Sequence, residues 1–168
     1  MHKVSRRTKL AVAAVVGVVL AASALVGVGR NVSAQGDNPL ADLLKKTDLK
    51  FRSLDEESWV VPFDIGEGKT RDVYVTYNNE KKKFAMIFTT VVNKDDKHDY
   101  GAPILLESMK LNNDYPACKF CLDYDNGDID CQSEVYMETL TPQSLALHIN
   151  LVAAVASDHG EKLNQLEH

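Results

Sequence analysis

The feature that most constrains the fold is the alternation of side chains on both sides of Asn126-Gly127, within "CKFCLDYDNGDIDCQSEVYM". Asn-Gly between alternating residues is typical of a β-hairpin with a two-residue turn. Such a turn places Leu122 opposite Cys131 and Cys118 opposite Val135. A shift by one residue would bury acidic side chains, so burial favours this register. It collects the apolar side chains on one face, namely Cys118, Phe120, Leu122, Ile129, Cys131, Val135 and Met137.

The hairpin contains all three cysteines of the chain, Cys118, Cys121 and Cys131. Cys118 and Cys121 form a CxxC sequence, but residues three apart on a strand lie about 10 Å apart on opposite faces, whereas a disulfide needs Cα atoms within about 7 Å. Cys131 shares a face with Cys118 but lies about four residues further along the predicted ladder, which also excludes that pair. A three-residue turn with a bulge would place Cys121 opposite Cys131 and leave a cross-strand disulfide open. Catalytic CxxC pairs lie at the start of a helix, whereas a strand is predicted here, so Cys118 and Cys121 are not expected to form a catalytic pair. Cys118 and Cys131 are instead expected to be small buried hydrophobic residues.

Two acidic loops resemble calcium sites only superficially. Asp123, Asp125 and Glu134 occupy the first, third and twelfth positions of an EF-hand count, but Gly127 is at the fifth position and the motif needs glycine at the sixth. Loop 93–99 has no glycine and carries two lysines among its acids. Both loops are therefore predicted to be solvated surface loops.

The sequence contains no recognisable catalytic or zinc-binding constellation. His148 and His159 share a face of a predicted helix but lie about 16 Å apart along its axis, too far to bind one ion. His98 stands beside Asp99, yet no motif places a serine or cysteine nucleophile, and no glycine-rich phosphate loop occurs. The chain is therefore predicted not to be an enzyme and to have no catalytic residue, metal ligand or cofactor.

Residues 1–34 have the pattern of an export signal. A basic cluster precedes an uncharged run over residues 10–28, and residues 32–34 have a small-x-small form, which predicts cleavage between Ala34 and Gln35. As a helix the run would be about 28 Å long, close to the thickness of a bilayer, so an uncleaved inner-membrane anchor over residues 10–28 is the alternative. Arg6-Arg7 resembles a twin-arginine signal, although Lys9 stands where an apolar residue is expected. In both cases the body is predicted to be exported to the periplasm or cell envelope, with membrane contact only through an uncleaved N-terminal segment.

The exported body is acidic. Residues 1–34 hold five basic residues and no acid, which leaves 14 basic against 24 acidic residues in the remainder, a net charge of −10. Proteins that bind nucleic acids gain most of their affinity by neutralising phosphates with basic side chains. Nucleic-acid binding is therefore not expected.

The body is predicted to be one α+β domain over residues 35–165, with elements in the order α-β-β-β-α-β-β-α. Connection lengths predict an antiparallel sheet with helices on one face. Asn38-Pro39 begins the first helix, Pro103 the second and Pro142 the last. Asn78-Asn79-Glu80 is predicted to be a hairpin turn. Residues expected to be buried include Leu40, Leu44, Trp59, Val61, Phe63, Val73, Val75, Tyr77, Ile104, Leu105, Met109, Leu111, Leu145, Ile149, Val152 and Ala156. Gly160 is expected to weaken or bend the last helix, and residues 166–168 fit the start of an expression tag.

Over roughly residues 40–163 the sequence resembles the YbjN-type sensory transduction regulator family, whose members look like type III secretion chaperones. The resemblance lies in Trp59-Val60-Val61-Pro62-Phe63, the helix ending at Asn112, Ala117-Cys118-Lys119-Phe120, Gly127, and Leu140-Thr141-Pro142 before an Ala/Val/Leu-rich helix. It implies a type III secretion chaperone-like fold without catalytic residues, which dimerises and binds an extended segment of another protein. The cysteines depart from the small or aliphatic residues usual in the family.

Three functions remain open from the sequence. The first is a non-enzymatic, exported protein-binding or chaperone-like regulatory module that forms a homodimer or binds a peptide or protein partner, for example at a sheet edge. The second is a thiol-based redox or metal-binding protein that uses Cys118, Cys121 and Cys131. The third is a structural accessory domain of an envelope assembly.

Overall fold

The computed structural model describes residues 38–78, 81–93 and 100–167, which belong to the unit Asp37–His168. In these residues the elements follow the predicted order, with one additional two-residue strand before the first predicted one. Their bounds are α1 Pro39–Lys45, β1 Arg52–Ser53, β2 Ser58–Asp64, β3 Thr70–Tyr77, β4 Phe84–Val92, α2 Ala102–Asp114, β5 Lys119–Leu122, β6 Ile129–Tyr136 and α3 Pro142–Glu167, with a 3₁₀ turn, Met137–Thr139, between β6 and α3.

The strands form one antiparallel sheet in the order β1-β2-β3-β4-β6-β5, and the helices pack against one of its faces. The α+β fold is thus confirmed. Alternation explains the strands, because β2 and β3 direct every second side chain into the core. Helix α3 contributes a stripe with a helical period, and its members Leu145, Ile149, Val152 and Ala156 are fully buried.

Helix α1 begins where the sequence predicts. The Asn38 side-chain oxygen accepts the Ala41 N–H at 3.2 Å and caps the helix. The Tyr77 hydroxyl at the end of β3 donates to the same oxygen at 2.8 Å and accepts the Leu40 N–H at 3.2 Å. These bonds hold α1 against the sheet while Leu40 and Leu44 fill the core.

Helix α3 continues through Gly160 to Glu167, so the glycine does not end it. A Cβ atom at position 160 would lie 3.3 Å from Val91 Cγ1 of β4 and 3.4 Å from the Arg71 guanidinium of β3. The glycine therefore permits a close approach of the helix to the sheet. Leu166, expected within a tag, is part of α3 and packs against the core.

The register of the β5–β6 hairpin differs from the prediction by two residues. Phe120 lies opposite Cys131, and Leu122 lies opposite Ile129. The predicted register is wrong because a period of two fixes only which face a side chain occupies. A shift by two leaves each side chain on its predicted face, so burial cannot distinguish the two registers.

The turn of this hairpin is longer than the predicted two residues. The Asp123 N–H donates to the Asp128 carbonyl at 2.8 Å, and the Gly127 N–H donates to the Asp123 carbonyl at 2.7 Å. Four residues, 124–127, thus form the turn. Gly127 has a φ angle of +80°, which explains the glycine at this position.

Helix α2 differs from the prediction in what it buries. Its buried residues are Ile104, Ser108 and Leu111, whereas Leu105 is 41% and Met109 is 68% exposed. The expectation that Leu105 and Met109 are core residues is wrong. The buried stripe follows i, i+4 and i+7 spacing, and the other apolar residues lie on the opposite side of the helix.

Several predictions fall outside the described residues. They concern the export signal 1–34, its cleavage between Ala34 and Gln35, the anchor 10–28, Asn79 and Glu80 of the predicted turn, residues 94–99 of the predicted loop 93–99, which include His98 and Asp99, and residue 168. Asn78 is described, and its N–H donates to the Phe84 carbonyl at 3.0 Å across the β3–β4 connection. Within the described ranges, no helix has the length and apolar character needed to cross a membrane.

Candidate functional site

Two of the three cysteines are neighbours in the core. Cys118 and Cys131 are both fully buried, and they lie on the same face of the β5–β6 hairpin as diagonal neighbours. The expected separation of about four residues along the ladder is wrong, because the two-residue shift in register makes Cys118 a diagonal neighbour of Cys131, two positions away. Both are free thiols. The neighbouring Cys118 thiol and burial raise the pKa of Cys131.

The third cysteine, Cys121, lies half-buried on the opposite face of the hairpin, as predicted. Burial and the carboxylates of Asp130 and Glu134 raise its pKa. A protonated thiol is a poor nucleophile and a poor metal ligand. The CxxC sequence therefore does not form a pair, since its two thiols are on different faces.

The acidic turn of the hairpin uses its oxygens internally. One Asp123 carboxylate oxygen accepts the Asp125 N–H at 2.9 Å, and the Asn126 amide oxygen accepts the Asp128 N–H at 2.9 Å. The Tyr100 hydroxyl donates to the Gly127 carbonyl at 2.5 Å. In the part of the chain that the structure describes, no group of three His, Cys, Asp or Glu side chains is arranged to hold a metal ion.

A serine–histidine pair that the sequence analysis missed lies between β6 and α3. Ser133 Oγ and His148 Nδ1 are 2.9 Å apart, and burial lowers the pKa of His148. Ser133 is only 4% exposed, so its hydroxyl is not presented to a substrate. His159 bonds elsewhere, to the Tyr115 hydroxyl at 3.0 Å. We interpret the pair as buried polar groups that satisfy each other.

The outer edge of β5 is occupied by a side chain. The Asn112 amide at the end of α2 donates to the Phe120 carbonyl at 3.1 Å and accepts the Phe120 N–H at 2.6 Å. The Cys118 N–H donates to the Tyr115 carbonyl at 3.1 Å. Asn112 thus takes the place of a neighbouring strand, which protects the edge from pairing with another chain.

The opposite edge of the sheet is also obstructed. Strand β1 covers β2 only at Val60 and Trp59. The Ser58 carbonyl accepts the Leu54 N–H, so the backbone groups of Ser58 point to the outer side of β2. Since backbone groups alternate in direction from one residue of a strand to the next, those of Pro62, four residues further on, also point outward. Proline has no N–H to offer there. Addition of a peptide strand, the binding mode expected from the sequence, is therefore disfavoured at both edges.

The second face of the sheet has an aromatic centre. The helices pack against the face that presents Val61, Val73 and Val75. On the other face Tyr74 stacks on Phe88 with ring centroids 5.2 Å apart, and Phe84 lies 5.2 Å from Tyr136. The apolar side chains of this aromatic face are Val60 and Phe88, which are buried, and Tyr74, Phe84, Met86 and Tyr136, which are partly exposed.

Helix α2 has a second apolar side, which we call the outer face of α2 and define by Leu105, Leu106 and Met109. These residues are 41%, 65% and 68% exposed. They are half of the large hydrophobic residues exposed in the described part of the chain. Such a cluster is typical of an interaction surface, unlike single exposed hydrophobic residues. The sequence already indicates this second apolar side, since a helix cannot place five such closely spaced residues on one side, namely Ile104, Leu105, Leu106, Met109 and Leu111.

Comparisons with known proteins find similarity in solved structures only. No family model matches the sequence, and no curated protein matches it. A chain in the crystal structure of the ExsC–ExsE complex is similar over 77% of this chain and 90% of its own length, with 21% identity and a TM-score of 0.45. A chain of the HopA1–SchA chaperone–effector complex is similar over 75% and 90%, with 13% identity and a TM-score of 0.44. The Yersinia pestis type III secretion chaperone SycH, in complex with a fragment of YscM2, is similar over 71% and 95%, with 14% identity and a TM-score of 0.44.

These likenesses concern the fold alone. Identities of 13–21% with TM-scores below 0.5 carry no argument about function or partners. Membership of the YbjN-type family stays a prediction from the sequence. The function is therefore argued from the surface of this chain.

Proposed function

We propose that this chain is a non-enzymatic, chaperone-like protein-binding module that acts as a homodimer outside the cytoplasm. The observation that carries this proposal is the outer face of α2, where Leu105, Leu106 and Met109 expose apolar surface side by side. Export is supported by the sequence of residues 1–34. The buried Ser133 and the buried Cys118–Cys131 pair support the absence of catalysis, because none of these groups reaches a substrate.

A second copy of the chain is the occupant proposed for the outer face of α2. If two α2 helices pair antiparallel about their middle, Leu106 meets Met109 of the second copy, and Ala102 meets Asn113. A specific interface buries about 800 Å² per partner around an apolar centre, and these side chains supply that centre. Lys110 and Asn113 would form part of its polar rim.

The charges at the ends of α2 favour the antiparallel arrangement. The helix begins at Gly101 without a side-chain cap and has no acidic residue in its first turn. It ends at Asp114, where a carboxylate is unfavourable because the carboxyl end of a helix carries partial negative charge. Antiparallel pairing brings Asp114 of each copy to the uncapped amino end of the other, where its charge is favourable.

The aromatic face of the sheet is the surface proposed for a partner protein. Its side chains lie in rows across the strands, and Arg52 and Lys119 stand at the two ends of the row that contains Tyr74 and Phe88. An apolar segment of an incompletely folded polypeptide is the class of partner proposed for the partly exposed side chains Tyr74, Phe84, Met86 and Tyr136. Side-chain docking replaces strand addition, because Asn112 and Pro62 obstruct the edges.

The dimer is tested by measuring the mass of the chain by light scattering after size exclusion, with one matched pair of variants. Leu106 and Leu147 are both 65% exposed, but Leu147 lies on α3. Leu106→Lys is expected to weaken dimerisation at least tenfold, whereas Leu147→Lys leaves it unchanged. A wild-type chain that is monomeric at tens of micromolar, or two variants with equal effects, would contradict the proposal.

Partner binding is tested with a reduced and alkylated polypeptide that cannot fold, as a probe for apolar segments. Met86→Lys places a charge within the aromatic face, and Gln165→Lys places the same charge at an exposed position of α3. The first variant is expected to lose binding in a fluorescence titration, and the second to retain it. Equal affinities for both variants would count against the aromatic face as the binding surface.

A further inference from the structure

The pair of buried thiols on β5 and β6 is not used by the proposed function. Cys118 and Cys131 are fully buried on one face of the hairpin, and Cys121 lies on the other. Thirteen positions separate the pair in sequence, so a bond between them would close the whole hairpin, including its four-residue turn. In a chain that is exported, such a pair meets an oxidising environment.

We propose that Cys118 and Cys131 form a structural disulfide that fastens edge strand β5 to β6, and that Cys121 remains a free thiol. The oxidant is a disulfide, either a small molecule or a protein. One thiolate attacks this disulfide, forms a mixed disulfide and releases one thiolate. The thiolate of the second cysteine attacks the mixed disulfide and releases the second half of the oxidant as a thiolate. In total, two protein thiols lose two electrons and two protons, and the oxidant becomes two thiols.

The register brings the two sulfurs together without a change of fold. Lys119 lies opposite Gln132 and Phe120 opposite Cys131, so Cys118 is the diagonal neighbour of Cys131. Diagonal neighbours are separated by about 7–8 Å in a regular ribbon, slightly more than the Cα separation of about 4.4–6.8 Å that disulfides prefer. Cys118 precedes the first residue of β5, so its backbone is outside the ladder, and its N–H donates to the Tyr115 carbonyl. A shift of about 1 Å in this turn that keeps the hydrogen bond supplies the remaining distance.

The groups around the pair indicate which sulfur reacts first. Cys118 precedes edge strand β5, whereas Cys131 lies on β6 between β4 and β5, so Cys118 is reached first and its thiolate attacks the oxidant. The Arg71 guanidinium opposes the rise in the pKa of Cys131. Arg71 Nε is itself buried without a hydrogen-bond partner, so this positive charge is available to the second thiolate when it forms.

Access requires the hairpin to open, since neither sulfur is exposed. Strand β5 is four residues long and lies at the edge of the sheet, and such elements open locally more often than a central strand does. Oxidation is therefore expected to be slow in the folded chain and fast during refolding. Once closed, the disulfide is protected from reductants by the same burial.

The test is mass spectrometry of the full chain after refolding with oxidised glutathione, compared with refolding in a reductant. We expect the oxidised chain to have lost two hydrogen atoms and to bind one equivalent of a thiol-alkylating reagent in denaturant. Cys121→Ser simplifies the mapping, because only the proposed pair then remains. It is expected to lose two hydrogen atoms and to bind no reagent.

The number of free thiols and the unfolding temperature of the wild-type chain keep the proposal open to refutation if Cys121→Ser fails to fold. The wild-type chain alone is expected to unfold at a higher temperature when oxidised than when reduced. Three free thiols after refolding with the oxidant, or a bond that includes Cys121, would overturn the proposal. So would an unchanged or lower unfolding temperature of the oxidised chain.

Discussion

The Asn112 side chain holds two backbone groups of Phe120, and its removal is a direct test of how the sheet edge is protected. Asn112→Ala deletes the donor to the Phe120 carbonyl at 3.1 Å and the acceptor of the Phe120 N–H at 2.6 Å. Each hydrogen bond contributes about 1 kcal/mol net. These net values already include the replacement of the lost hydrogen bonds by water, which reaches this partly buried edge. We therefore expect a loss of about 2 kcal/mol in the free energy of unfolding, or about 8 °C in Tm for a domain of this size.

The assay is urea denaturation followed by the fluorescence of Trp59, the single tryptophan, which is 4% exposed in the folded chain. Asn150→Ala is the matched control, because Asn150 is an exposed asparagine of α3, outside the proposed dimer interface. Asn112→Asp keeps the acceptor for the Phe120 N–H but faces the Phe120 carbonyl with a negative charge, so it is expected to destabilise at least as much as alanine. A loss for Asn112→Ala within about 0.5 kcal/mol of the control would refute the reasoning.

Three further predictions concern the interior. Leu145→Ala removes a fully buried side chain and is expected to cost about 3 kcal/mol in urea denaturation, whereas Leu147→Ala on the same helix should change stability by less than about 0.5 kcal/mol. Burial lowers the pKa of His148, so below about pH 6.5 the unfolded chain binds a proton that the folded chain does not, and stability falls as the pH falls. His148→Gln should reduce this loss between pH 7.5 and pH 5.5, and an unchanged pH dependence would show that another group causes it. The raised pKa of Cys121 predicts alkylation at pH 8 that is slower in the folded than in the denatured chain, and equal rates would contradict the assigned surroundings.

The elements that repeat a period over many residues could be predicted from the sequence. Helix α3 has its apolar stripe at helical spacing, and β2 and β3 alternate over seven and eight residues. The proline and asparagine at the start of α1 also act locally, because a cap and a fixed φ angle need no distant partner. These features place the core on one face of the sheet.

The hairpin shows what alternation leaves undetermined. The faces of Cys118 and Cys131 were predicted correctly, but their separation was not, because registers that differ by two residues bury the same side chains. The four-residue turn, with Gly127 at positive φ, decides between those registers. The Asn126-Gly127 sequence alone does not reveal that the last backbone hydrogen bond before the turn joins Asp123 to Asp128.

The candidate surfaces depend on contacts distant in sequence. The role of Asn112 follows from the position of α2 beside β5, which no local pattern specifies. The Ser133–His148 pair likewise joins a strand to the last helix. The outer face of α2 was assigned to the core because Leu105 and Met109 are apolar, although a helix with apolar residues on both sides signals a second contact.

Site-specific photo-crosslinking at Leu106 tests the central claim most directly. A photoreactive side chain at this position reports which groups lie against the outer face of α2, and the same group at Leu147 serves as the control with equal exposure. Mass spectrometry is expected to find Leu106 joined to residues 105–110 of a second copy, with no such product from Leu147. Crosslinking to a second copy from Leu147 alone, or from neither position at concentrations of tens of micromolar, would contradict the account.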